Sequence, residues 1–228
     1  MLDSLLRDPG ALRALCVAAH CDDETLVCGG LLARITAGGG SVRVLALCGN
    51  EAQRRDELTA ACTVLGCWSL ALDYTDNSLG EHLLYEVSAN ITEAIRDFQP
   101  HLLITHDPEY DYNPEHRFLA NATVFAAQKA GMAASGWRPE LLISGEVHTP
   151  LPFPDYLVDI SAVLPTVLQA LACHTSQLTE PHKRDYYTRL LDARARWRGV
   201  QAGCDAAMAF RRLPLPVIGD LYAEKPAI

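Results

Sequence analysis

The sequence predicts an α/β protein in three layers, a mostly parallel sheet with helices on both faces. Three observations predict it. Short apolar runs of strand length alternate with amphipathic stretches of helix length, which is the pattern of βαβ units. The runs are almost continuously apolar, as strands buried on both faces must be. The 228 residues are 49% hydrophobic and 21% charged, enough apolar surface for a large core without staples.

The elements follow in order. Strands are expected at 15–19, 42–48, 69–74, 102–105 and 141–144, each rich in Val, Leu or Ile. Between them, 24–37, 52–65, 83–98 and 117–134 carry helical periodicity. Right-handed crossovers then give a Rossmann-like sheet. Gly38-Gly39-Gly40 follows a helix and precedes a strand, so it reads as a C-cap and turn. A dinucleotide loop would need its glycines straight after the first strand, where His20-Cys21-Asp22-Asp23-Glu24 stands instead. Pro150, Pro152 and Pro154 form a rigid connector. A short strand at 156–160 and helices at 160–171 and 182–200 follow. Pro214 and Pro216 open an irregular tail. No repeat or boundary divides 1–228, which reads as one domain whose last third, 145–228, packs on the sheet and completes a pocket.

The net charge of -9 argues against a nucleic-acid partner. Eight cysteines without a C-x-x-C pair point to buried thiols of a reducing cytoplasm rather than a disulfide framework. No apolar stretch reaches the roughly 18 residues of a membrane span. The start, MLDSLLRDPG, lacks the basic and apolar regions of a signal peptide. The expected setting is therefore cytoplasmic, with a small molecule as partner and the oligomeric state open.

The segment 20–24 ends the first strand and opens its helix, the place where ligands bind in open α/β sheets. Four ionisable side chains occupy five positions, and the neighbouring carboxylates among them repel one another unless a cation compensates them. Helix capping by Asp22 or Asp23 is the plain alternative. His20 ahead of the acids favours a metal, because imidazole plus carboxylate is a common catalytic zinc set. The segment is short of ligands and requires a third from elsewhere. The polar stretch 106–117, at the end of the fourth strand, offers His116, with His106 competing. Asp107 and Asp111 are candidates to fix the tautomer of His116. Tyr110 and Tyr112 lie beside the proposed site, where Tyr112 is a candidate substrate contact.

These residues carry a resemblance. Ala19-His20-Cys21-Asp22-Asp23-Glu24 resembles the A-H-P-D-D-E signature of the PIG-L/LmbE-like deacetylases, and Asn113-Pro114-Glu115-His116-Arg117 resembles their H-P-D-H element. Arg54 before Glu57-Leu58, Asp76, and His174-Thr175-Ser176-Gln177 resemble further elements in the same order. The resemblance implies that His20, Asp23 and His116 bind zinc or another divalent ion, and that Asp22 is the general base. It implies that Arg54 and Asp76 contact an amino-sugar substrate, as His174 is also expected to do. Two departures stand out. Cys21 replaces Pro as a simple substitution. Asn113 replaces a His that polarises the carbonyl, so its amide, or His106 or His174, must supply that contact. Glu115 for Asp changes reach, not charge. The expected activity is zinc-dependent removal of an N-acetyl group from an amino-sugar-containing small molecule. The competing readings are a metal-holding sugar or nucleotide-binding module without catalysis, and an amidase acting on a non-sugar N-acyl compound. Trp68, His101 and His148 read as structural, and the charge run 192–198 as a solvated helix face.

Overall fold

The structure is a computed structural model that describes residues 1–132, 136–179 and 185–215. Strands β1 (Arg13–His20), β2 (Ser41–Cys48), β3 (Trp68–Ala71), β4 (Leu102–His106), β5 (Leu141–Gly145), β6 (Tyr156–Asp159) and β7 (Ala207–Arg212) form one sheet. Its order is β3-β2-β1-β4-β5-β7-β6. β1 to β5 are mutually parallel, and β7 runs antiparallel between β5 and β6. The helices are α1 (Leu2–Arg7), α2 (Asp23–Ala37), α3 (Ala52–Leu65), α4 (Leu84–Phe98), α5 (Pro114–Ala130), α6 (Leu164–Leu171), α7 (Thr175–Leu178) and α8 (Tyr186–Ala202).

Burial on both faces follows from the period-two alternation of a strand. Along β1, Ala14, Cys16 and Ala18 enter the core formed with α2, α3, α6 and α8. Leu15, Val17 and Ala19 enter the opposite core with α4 and α5. Gly38 caps α2, and Gly39 takes a φ of 86°, the left-handed turn expected of that glycine run.

Several boundaries differ from the sequence expectation. α5 begins at Pro114 because Pro suits the first helical position and Asn113 caps it. α6 begins at Leu164, since the Asp159 carboxylate accepts from the Ser161 N–H and holds a turn there. Residues 133–134, 182–184 and 216–228, included in expected helices or in the tail, lie outside the described residues. The strand β7 was not expected. Its Ala-Met-Ala-Phe run contains no β-branched residue, and pairing with β5 and β6 places it. The run 192–198 is not a wholly solvated face. Asp192 pairs with Arg196 at the surface, but Arg194 and Arg198 are 8% and 1% exposed. Trp68 lies half exposed beneath the Arg43 guanidinium.

β1 and β4 are neighbours whose onward connections run to opposite sides of the sheet. A crevice opens at the carboxyl ends of such a pair. His20 ends β1 and His106 ends β4.

Candidate active site

Three atoms converge on this crevice. His20 Nδ1 lies 3.1 Å from Asp23 Oδ2 and 3.2 Å from His116 Nε2, and His116 Nε2 lies 3.3 Å from Asp23 Oδ2. Tetrahedral zinc with bonds of about 2.0–2.1 Å spaces its ligands about 3.3 Å apart, so the near-equilateral triangle fits a metal of that size. The groups are drawn from both ends of the crevice, two from the β1–α2 turn and one from the first turn of α5. The outer nitrogens are held as metal-bound imidazoles usually are. His116 Nδ1 lies 2.8 Å from Asp111 Oδ2, and His20 Nε2 lies 2.8 Å from Glu115 Oε2. Glu115 also accepts from the backbone N–H groups of Asn77 and Leu79. Between Asp107 and Asp111, then, the structure pairs Asp111 with His116. Asp107 instead ties the start of its loop to β7, receiving Arg211 in a bidentate pair and the Ser144 hydroxyl.

Charge in this cluster is lopsided. Burial opposes a charged His20, yet Asp23, Asp76 and Glu115 hold its pKa well above the ordinary value. An excess of carboxylates around imidazoles is what a divalent cation relieves.

Asp22 occupies the N-cap position of α2 but makes no capping hydrogen bond. Its carboxylate turns to Arg54, whose Nη2 donates to Oδ1 at 3.0 Å. Arg54 Nη1 donates to Asp76 at 2.8 Å, so one guanidinium bridges two acids. Burial, then the neighbouring Asp23, raises the pKa of Asp22. The hydrogen bond to His20, and Arg54 beside it, pull Asp76 down to about 2. Adjacent acids are thus pushed to opposite protonation tendencies, a common arrangement in acid–base sites.

Asn113 spends its side-chain oxygen on capping α5, accepting from the Glu115 N–H at 2.9 Å. That bond leaves the NH2 half of the amide at the cavity wall. The two other candidates for the carbonyl contact are sequestered. His106 is 0% exposed and its Nε2 accepts from the Ala19 N–H. It stacks on His116 at 3.9 Å between ring centroids and supports it from below. His174 is also fully buried, with Nε2 3.0 Å from Glu24 Oε1, so it braces the α2 turn and does not line the cavity. The element beside it is a clamp as well. Glu57 accepts from the hydroxyls of Thr175 and Ser176 and from the Ser176 N–H, tying α3 to α7. Tyr112 stands largely exposed, its ring 4.8 Å from that of His148. Cys21 is buried, its thiol directed to the Cys48 carbonyl and pushed by burial up to about 12. All eight cysteines are free.

A cavity of about 200 Å³ lies over these groups, lined by His20, Asp22, Asp23, Arg54, Asp76 and Asn113. His148, Gln177 and Tyr187 line it as well. Sequence reasoning missed His148 and Tyr187, for neither stands in a patterned cluster. The nearest signal for His148 was its place just beyond an apolar strand end.

Fold and site together define a Rossmann-like α/β protein with a candidate divalent-metal centre at its topological switch point. Residues 15–127 match the PIG-L family, described as GlcNAc-PI de-N-acetylase. It is 27% identical to a 1D-myo-inositol 2-acetamido-2-deoxy-alpha-D-glucopyranoside deacetylase of Segniliparus rotundus, over 78% of this chain and 81% of the relative. It is 28% identical to a diacetylchitobiose deacetylase of Thermococcus kodakarensis, over 78% and 76%. Among solved structures, an N,N'-diacetylchitobiose deacetylase from Pyrococcus horikoshii superposes with a TM-score of 0.78 at 21% identity, covering 96% of each chain. A 4-carboxy-2-hydroxymuconate hydratase from Pseudomonas putida KT2440 superposes with a TM-score of 0.76 at 21% identity, covering 90% of this chain and 98% of the other. At those identities both structures speak for the fold alone.

Proposed function

We propose that the protein is a zinc-dependent hydrolase that removes the N-acetyl group from an amino-sugar-containing small molecule. One observation carries the reading: the 3.1–3.3 Å triangle of His20, Asp23 and His116 lines a polar cavity beside the Asp22 carboxylate, which contributes no atom to the triangle. His20, Asp23 and His116 would hold the ion, with Glu115 and Asp111 fixing the two imidazoles. A zinc ion held there supplies Lewis acidity, polarising the amide carbonyl and acidifying water towards a pKa of about 7. Asp22 takes the proton of the attacking water as the water oxygen adds to the carbonyl carbon. When the C–N bond breaks, Asp22 returns that proton to the amine nitrogen, so amide and water give amine and acetate. Arg54, pinned by Asp22 and Asp76, aims the base and presents a wall of hydrogen-bonding groups to a sugar. The Asn113 amide donates to the carbonyl oxygen as negative charge builds there. The free thiols suit a reducing compartment, and we place the protein in the cytoplasm on that ground. Among the described residues, no helix is long and apolar enough to cross a membrane.

The relatives named as deacetylases of N-acetylglucosamine compounds support the substrate class, and the hydratase that shares the fold warns against reading chemistry from fold alone. The test is acetate release from N-acetylglucosamine and N,N'-diacetylchitobiose by the zinc-loaded protein, with metal content measured alongside. Zinc at one per chain with no acetate released would instead favour a binding module without catalysis.

A further inference from the structure

Resting on the deacetylase reading, we infer that His148 is a catalytic residue, an imidazole that donates a hydrogen bond to the developing oxyanion beside Asn113. Its place in the cavity and the way it is held both point there. The His148 ring lies nearly parallel to that of His116, at 12° and 5.7 Å between centroids. His106, His116 and His148 thus form a column of imidazoles, of which only the middle ring carries a candidate metal-binding atom of the triangle and only the top ring is otherwise uncommitted. Tyr112 and Tyr187 flank it at 4.8 and 6.1 Å. Its Nδ1 is buried without a hydrogen-bond partner, which leaves Nε2 as the nitrogen open to the cavity. No described carboxylate is bonded to either nitrogen.

The loop that carries the ring is clamped on both sides. Arg194 donates to the Val147 carbonyl, immediately before His148, and at 2.5 Å to the Leu26 carbonyl of α2. Arg198 pairs with Glu146 and donates at 2.7 Å to the Leu151 carbonyl, while Glu146 accepts from the Leu151 N–H. Two buried guanidinium groups are expensive to desolvate, and here they fix six residues around one imidazole. Preorganised donors of this kind stabilise a transition state without reorganising during the reaction. The arrangement also answers the departure at Asn113. An amide with its oxygen spent on a helix cap offers one side of the oxyanion a donor, and His148 supplies a second donor from another element.

The experiment uses the zinc-loaded full chain, the variants His148→Ala and His148→Gln, and two readouts. Acetate release from N,N'-diacetylchitobiose gives kcat and KM. Calorimetric titration with a methylphosphonamidate of glucosamine, tetrahedral at phosphorus, gives affinity for a mimic of the intermediate. His148→Ala should lower kcat about 10²–10³-fold with KM, zinc content and melting temperature unchanged, and should weaken the mimic in proportion. His148→Gln, which keeps an N–H donor, should recover part of both. An unchanged kcat in His148→Ala, or a fallen kcat with unchanged mimic affinity, overturns the assignment. A wild type that releases no acetate but binds the mimic would sink the deacetylase reading and leave His148 to be judged by the mimic alone. Failure to bind the mimic as well would sink both.

Discussion

Replacing Asp22 by Asn separates proton transfer from metal binding. Asp22 is 6% exposed, and its Oδ1 accepts from Arg54 at 3.0 Å. Asn keeps the volume and can keep that oxygen, so the bridge from Arg54 to Asp76 survives. What disappears is the carboxylate that takes the proton of water. A positioned general base contributes about 10²–10⁴-fold, or roughly 3–5 kcal/mol of barrier. Asp22 contributes no atom to the triangle of His20, Asp23 and His116, so the metal should stay. Stability should move little, because losing the ion pair with Arg54 is offset by relief of the repulsion between Asp22 and Asp23 and of a buried charge. The assay is steady-state acetate release on protein of measured zinc content, with a thermal melt of both forms. Turnover near that of the wild type would falsify the assignment of Asp22 as base. Loss of zinc in proportion to activity would make Asp22 a ligand instead.

Three further outcomes are expected. His116→Ala should lose the metal by elemental analysis, whereas His106→Ala should retain it and melt lower, by about 1–3 kcal/mol, because the buried Ala19 N–H loses its acceptor; the reverse pattern would exchange their roles. Asn113→Asp preserves the cap on α5 but removes the amide donor, so kcat should fall about 10²-fold with helix stability kept, while Asn113→Ala should also cost roughly 1 kcal/mol of stability. Asp107 has its pKa lowered, against the effect of burial, by Arg211 and Ser144. A depressed folded pKa contributes stability that is complete above the unfolded value of about 3.9 and is lost as pH falls through the folded value. Asp107→Asn should therefore lower stability at pH 7 by about 1–3 kcal/mol, Arg211 being partly solvated, and should flatten the acid limb of a pH–denaturation profile.

Much of this protein was legible in the sequence. Apolar runs alternating with helical periods identify βαβ units, because a strand buried on both faces has no polar alternation to display. The crowding at 20–24 points to a candidate cation site, because four ionisable groups in five positions need a reason stronger than helix capping. The sequence left His116 and His106 as competing candidates for a third ligand, and their different settings appear only in the tertiary structure. His106 and His116 stack on one another, and only the direction of each ring, set by Ala19 behind one and Asp111 behind the other, decides which faces the cavity. His174 and Arg54 show the same limit. Both belong to recognisable elements, yet one is sealed under α2 and the other lines the cavity. The strand β7 and the buried arginines of α8 carry no local signal, because their partners lie dozens of residues away. His148 is the plainest case: a lone histidine in a proline-rich connector, brought over His116 by two guanidinium groups nearly fifty residues later in the chain. By itself, then, the sequence determined the sheet, the crevice and the chemical type of the site, since these depend on residue kinds repeated at local spacings. The tertiary structure alone decided which imidazoles meet Asp23, which lies stacked beneath and which lines the cavity, since these depend on the direction of a side chain and on contacts that no local spacing encodes.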